Sequence, residues 1–187
     1  MDNRTQVWVR LFFFLFAACA SAALPGCGYK TGSLLPPEIK TIYIDNFKNA
    51  VGIDKEVTEE MRYTLYRPGL ENDVTNVIAD RFIFDGNLRL ADKDKADLIL
   101  SGELVEYRQE ALRYDSDDNV EEYRVKVVVD VRIKDTSKDE LMWEESAFIG
   151  ESTYMTTGRF VVSEDAARED ALQDLARRIV ERTIEGW

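Results

Sequence analysis

Between Tyr123 and Lys134 the chain alternates almost without fault. Tyr123, Val125, Val127, Val129, Val131 and Ile133 occupy every second position, and Arg124, Lys126, Asp130, Arg132 and Lys134 stand between them, with Val128 as the single apolar intruder. A β-strand turns successive side chains to opposite faces, so this pattern lays six apolar residues on one face of a sheet and charge on the other. Twelve such residues span ~40 Å. A helical period of 3.6 would scatter the same valines around its circumference. The chain must therefore contain a long, half-buried, antiparallel strand whose apolar face needs a second layer.

Two segments can supply that layer. Leu70, Val74, Val77, Ile78 and Phe82 recur at spacings of three and four, which predicts a helix from Leu70 to Phe84 closed by Asp85-Gly86. Ser163 is a helix-capping residue, followed by Glu164 and Asp165, where the helix dipole favours negative charge. The helix it starts runs to about Ile184, with Leu172, Leu175, Ile179 and Thr183 on its buried stripe and Ala171, Ala176 and Val180 widening it. Further strands are expected over Ile39–Asp45, Leu88–Ala91, Ala96–Glu110 and Leu141–Tyr154, with a polar hairpin tip at Asp115–Asn119 and a turn over Thr136–Asp139. Asn46 to Gly52 reads as a loop. Asp54–Tyr66 has helical character and is stopped by Arg67-Pro68-Gly69. The predicted fold is α+β, a two-layer sandwich of a mostly antiparallel, four- to five-stranded sheet with two main helices packed on one face.

Composition narrows the chemistry. The 187 residues include no histidine, which removes Ser-His-Asp and Cys-His relays, HExxH zinc sites and an imidazole pH switch. No GxSxG, Walker A or GxGxxG motif is present, so neither an enzymatic activity nor a cofactor is expected. A net charge of -12 argues against nucleic acid as a partner. Asp115, Asp117, Asp118 and Asn119 fail as a calcium loop: Val120 stands where a glycine is needed and Lys126 where the bidentate glutamate belongs. No metal site is expected there, and the segment reads as a solvated turn. Arg124, Lys126, Arg132 and Lys134, on the polar face of the long strand, are candidate contacts for an anionic lipid, set against the ordinary reading of cross-strand charge pairs. Tyr63, Tyr66, Tyr107, Tyr114 and Tyr154 read chiefly as core or sheet-surface aromatics.

The N-terminus carries an address. Arg4 and Arg10 precede an uncharged run from Leu11 to Leu24, which as a helix reaches ~21 Å, short of the ~30 Å hydrocarbon core. That is a signal peptide rather than a membrane span. Leu24-Pro25-Gly26-Cys27 resembles the bacterial lipobox, with Pro25 departing from the usual small residue. Cys27 is the expected lipid-attachment residue, preferred over Cys19 because Phe16 is a poor start for a box and the apolar run before it is short. The expected organisation is a signal peptide over 1–26, an acylated cysteine and tether over 27–37, and one domain over 38–187. Loss of Asp2, Arg4 and Arg10 with the leader leaves 22 basic against 35 acidic residues, a net -13. Several acyl chains hold a domain on a bilayer where one does so only marginally.

Taken in order, the lipobox running into Gly26-Cys-Gly-Tyr29, Ile39-Lys-Thr-Ile-Tyr-Ile44 with Asn46-Phe-Lys-Asn49, Ala96-Asp-Leu-Ile-Leu-Ser-Gly-Glu103, Glu122-Tyr-Arg-Val125, Met142-Trp-Glu144 and a C-terminal helix resemble the lipopolysaccharide-assembly lipoprotein family, LptE. The resemblance implies an α/β sandwich anchored by lipid to the periplasmic side of the outer membrane. There it would plug a large β-barrel partner, LptD, which delivers lipopolysaccharide to the outer leaflet, and it would have no catalytic residues. The Ala50–Pro68 segment is longer than the link expected in that family. The negative charge favours a plug and assembly role over direct lipopolysaccharide contact. The residues alone also leave open a stand-alone periplasmic lipoprotein that binds a glycan or serves another envelope-assembly system.

Overall fold

The computed structural model describes residues 35–51 and 67–186. Cys27, most of the tether and the helical stretch predicted over Asp54–Tyr66, with Tyr63 and Tyr66, lie outside the described residues. Among the described residues, six strands and two helices follow one another as β1 (Thr41–Ile44), β2 (Lys48–Asn49), α1 (Leu70–Asp85), β3 (Arg89–Leu90), β4 (Leu98–Tyr114), β5 (Val120–Asp135), β6 (Glu140–Met155) and α2 (Glu164–Glu185). The sheet runs β3-β1-β4-β5-β6, with β2 attached to β4.

The α+β class and the two helices stand as expected. The sheet is mixed and six-stranded, which corrects the expectation of four to five mostly antiparallel strands. The three long strands, β4 to β6, are antiparallel neighbours, whereas β1 pairs in parallel with both β3 and β4, and β2 in parallel with β4. Parallel neighbours need a long crossover between them, and the stretch from β1 through α1 to β3 supplies it. β2 lies inside the predicted Asn46–Gly52 loop, because two residues are too few to show an alternation.

The alternating segment forms the centre of the structure. Val125, Val127, Val129, Val131 and Ile133 are buried on β5, together with Ile42 of β1 and Leu98, Leu100, Leu104 and Tyr107 of β4. Leu70, Val74, Ile78 and Phe82 of α1 and Leu172, Leu175, Ile179 and Val180 of α2 close the same core from one side. Each buried leucine, isoleucine or phenylalanine contributes ~1.5–3 kcal/mol of transfer free energy. Thr183, buried on the stripe of α2, satisfies its hydroxyl on the Ile179 carbonyl at 2.7 Å. The caps are those expected: Ser163 Oγ accepts the Ala166 N–H at 3.1 Å, and Gly86, at φ 77°, ends α1.

Two irregularities set which side chains reach the core. On β4, Leu104 pairs with Val129 and Glu106 with Val128, leaving Val105 as an extra residue. Before that bulge the even positions Leu98, Leu100 and Leu104 face inward; after it the odd position Tyr107 does. On β6, the bulge opposite Asp130 holds Ala147 at φ 55°, and the Asp130 carboxylate accepts the Ala147 N–H at 2.8 Å.

Close packing of layers depends on two glycines. A Cβ on Gly150 would stand 2.4 Å from the Ala171 carbonyl oxygen and 2.4 Å from Leu175 Cβ, so α2 rests directly on the β6 backbone. A Cβ on Gly102 would stand 2.4 Å from the ring of Phe47, which crosses β4 there.

Candidate interaction surface

The face of the sheet turned away from the helices carries the charged half of the alternation. Arg124 lies between Glu110 of β4 and Thr153 of β6, Lys126 between Arg108 and Glu151, and Arg132 between Ser101 and Glu144. Lys126 Nζ meets Glu110 at 2.9 Å, and Arg108 joins Glu110 at 2.8 Å and Glu106 at 3.4 Å. Arg124 approaches Glu151 at 3.8 Å. Arg132 Nε donates to Ser101 Oγ at 3.1 Å, and Lys134 pairs with Asp139. The four basic residues singled out from the sequence thus share one face, three with partners on it and Lys134 with Asp139 of the β5–β6 turn. Arg124 and Lys126 stand together; Arg132 and Lys134 stand further along the strand.

Electrostatics follow from that lattice. The Lys126 ammonium, and then Arg108 and Arg124, hold the Glu110 carboxyl below the ordinary carboxylate range against the opposing effect of burial. A face of alternating sign at ~5 Å spacing matches a polar wall of mixed charge better than it matches a phosphate cluster.

At the end of the sheet that bears the β4–β5 hairpin the surface changes character. Arg113, Glu122, Met155 and Val161 form a row across it, since Glu122 pairs with both Arg113 and Met155 and Val161 bridges to Met155. Around that row Leu112, Tyr114, Phe160, Val161 and Val162 are exposed, Phe160 at 76%. Ile83, Phe84, Leu90 and Leu141 are exposed elsewhere, so this end holds five of the nine exposed large apolar residues among those described, a cluster suited to burial against another molecule. The hairpin tip beside it is the solvated turn expected: Asp115 Oδ1 accepts the N–H groups of Asp117 at 2.8 Å and Asn119 at 2.9 Å. Those bonds close the turn on its own backbone.

Behind this end, on the core side, α2 is tied to the sheet. Tyr107, fully buried, donates its hydroxyl to Glu164 Oε1 at 3.0 Å, and Arg67 reaches the same oxygen at 2.6 Å and Asp165 at 2.8 Å. Burial first, and then the Glu164 charge, push the Tyr107 hydroxyl far above its usual range, so it stays a donor. Tyr154 stacks on Tyr123 with ring centroids 5.6 Å apart. Of the tyrosines considered from the sequence, Tyr107 and Tyr154 are core residues, and Tyr114 is the one described here at the surface. Sequence reasoning missed Leu112 and the Phe160–Val162 stretch as surface features; three adjacent apolar residues outside any period were the available signal.

The sheet, the first helix, this apolar end and all but the last two residues of the second helix fall within residues 39–183, and that stretch matches the family described as LptE, lipopolysaccharide-assembly. The chain belongs to the LptE family. No curated protein matches it. Among solved structures, a hypothetical protein, CT253, from Chlamydia trachomatis is similar at 14% identity and a TM-score of 0.51, covering 80% of this chain and 97% of that one. A minor lipoprotein from Acinetobacter baumannii aligns at 14% identity and a TM-score of 0.46, covering 81% and 94%. The rare lipoprotein B of Shewanella oneidensis aligns at 12% and 0.42, covering 79% and 92%. Similarity to CT253 at that identity is a likeness of fold. Among the described residues of this LptE-family chain, no helix is long and apolar enough to cross a membrane.

Proposed function

We propose that this chain is an outer-membrane lipoprotein subunit of a lipopolysaccharide translocon. Residues 1–26 are a signal peptide, Cys27 carries the lipid, 27–37 form the tether, and 38–187 fold as the single LptE-like domain on the periplasmic side. The domain plugs, and assists assembly of, a large β-barrel of the LptD kind, which inserts lipopolysaccharide in the outer leaflet. The observation that carries this reading is the family match over 39–183, which takes in the whole sheet, the first helix and nearly all of the second.

Two surface features support the partner. An apolar end with Phe160 and Tyr114 exposed is suited to burial against protein, and the mixed-charge face is suited to a polar barrel wall. Arg124, Lys126, Arg132 and Lys134 would have to exchange their present partners to meet a lipid phosphate. The reading therefore assigns this face to the barrel and leaves lipopolysaccharide contact secondary. No catalytic role enters it.

The test is affinity purification of the full chain from membranes solubilised in mild detergent. A large, heat-modifiable β-barrel protein, identified by mass spectrometry as LptD-like and present in equal amount, is the expected companion. Recovery of the chain alone under those conditions would count against the translocon, and recovery with bound glycan and no barrel would favour the stand-alone lipoprotein.

A further inference from the structure

A sheet edge presents a row of N–H and C=O groups that can template pairing with another strand. In this sheet β6 is an edge, and it is sixteen residues long. Three devices lie along it. At its C-terminal end the Val162 N–H donates to the Met155 carbonyl at 3.3 Å and Val161 bridges to Met155. Its N-terminal half carries Glu140, Glu144 and Glu145 and two bulges, the features by which exposed edges are commonly blunted.

The middle, Phe148 to Ser152, has no bulge and no strand beyond it among the described residues, and Glu151 is its single charge. It pairs regularly with β5, through Val127 with Gly150, and Ile149 carries no charge. Here the third device comes from α2. Arg178 donates to the Ile149 carbonyl, and Asp174 Oδ2 accepts the Glu151 N–H at 3.2 Å. Asp174 and Arg178 are one helical turn apart and 4.0 Å from each other, while Arg177 holds the other Asp174 oxygen at 2.5 Å. The Arg178 guanidinium lies 5.2 Å over the Phe148 ring, and Gly150 admits the helix backbone beside it.

In an antiparallel ladder, directly opposed residues of a hydrogen-bonded pair exchange N–H···O=C bonds. Two copies of β6 related by a twofold axis through Gly150 would set Ile149 of one opposite Glu151 of the other. The Glu151 N–H and the Ile149 carbonyl are then the donor and acceptor that join. They are the two groups that Asp174 and Arg178 now occupy. In that register Glu145 of one copy faces Met155 of the other, so no carboxylate opposes another.

We infer that the Asp174–Arg178 pair is a lock on a latent self-association site: it stands in for a neighbouring strand at Ile149–Glu151 and keeps β6 from pairing with β6 of a second copy. The inference does not depend on the translocon role. It is tested on the full chain in nonionic detergent by sedimentation over a concentration series. The wild type sediments as a monomer, and D174A/R178A doubles in mass as concentration rises. Adding E151P removes an N–H that points away from β5, which an edge strand tolerates, and returns the double variant to monomer. A folded double variant that stays monomeric overturns the inference, as does association that E151P leaves unchanged. If the double variant does not fold, D174L/R178M takes its place, keeping side-chain bulk while freeing both the Glu151 N–H and the Ile149 carbonyl. A folded D174L/R178M that is a monomer at every concentration overturns the inference.

Discussion

At the scale of single residues, the polar groups that matter most are ones whose partners lie far off in sequence. Asp97 accepts the Lys40 and Thr41 N–H groups at 2.9 Å each and the Thr41 hydroxyl at 2.8 Å, and returns its own N–H to Thr41 Oγ1 at 3.0 Å. It thereby fastens the start of β1 to β4. The Lys40 N–H, followed by the Thr41 hydroxyl, holds its carboxyl below the ordinary range. A depressed carboxyl contributes stability that is complete above its unfolded value and fades as pH falls through the folded one. Asp97→Ala is expected to lower the unfolding free energy by ~1–3 kcal/mol at neutral pH. Denaturant melts should show the gap between wild type and variant closing in acid; a gap that is constant with pH would remove the carboxylate from the account. The sequence left Tyr107 between core and sheet surface, and nothing in it singled out Asp97. An aspartate at the start of a strand reads as solvated, and a tyrosine on a strand takes its face from a bulge that leaves no local mark.

Elements were more legible, because their signals are local and repeated. The stripe Leu172, Leu175, Ile179 and Thr183 is buried as its spacing requires, and so are Leu70, Val74, Ile78 and Phe82 of the other, whose Val77 is only partly buried at its margin. Strand ends were less so: β4 reaches Tyr114, four residues past its expected end at Glu110, because its last rungs are held by pairing with β5 rather than by apolar alternation. The contact of α2 with β6 is set by Gly150, and a glycine within a strand announces a close approach without naming what approaches. Gly150→Ala would put a methyl 2.4 Å from the Ala171 carbonyl oxygen, so the helix must lift. A loss of ~1–3 kcal/mol is expected, the usual range for overpacking a filled core. Thermal melts would read it, and an unchanged midpoint would show that the helix has room to move.

For the whole molecule, charge and anchoring decide how the domain is used. On the proposed lipoprotein reading, Cys27→Ala should release the chain into the soluble periplasmic fraction while Cys19→Ala leaves it on the membrane. Fractionation with immunoblotting separates the two, and release by Cys19→Ala instead would assign the acylated residue to Cys19. The net charge of -12 looked uniformly hostile to an anionic ligand. The structure distributes it: the sheet face carries both signs in alternation, and a cluster of exposed apolar groups stands at the β4–β5 hairpin end. Neither arrangement can be read from totals, since a count of charges holds no information on which strands become neighbours.

What the sequence by itself determined is everything that repeats within a short window: the long central strand, two amphipathic helices with their caps, the polar hairpin tip, and the residue order by which the LptE family was recognised. What only the tertiary structure decided is whatever depends on meeting across distance. That includes the parallel placement of β1 between β3 and β4, the inward turn of Tyr107 after the Val105 bulge, the partners of the four basic residues, and the seat of Asp174 and Arg178 on the edge of β6. The physical reason is one of range. Periodicity follows from the geometry of a single element, whereas pairing, register and edge protection follow from which elements pack together, and no local window contains both members of such a pair.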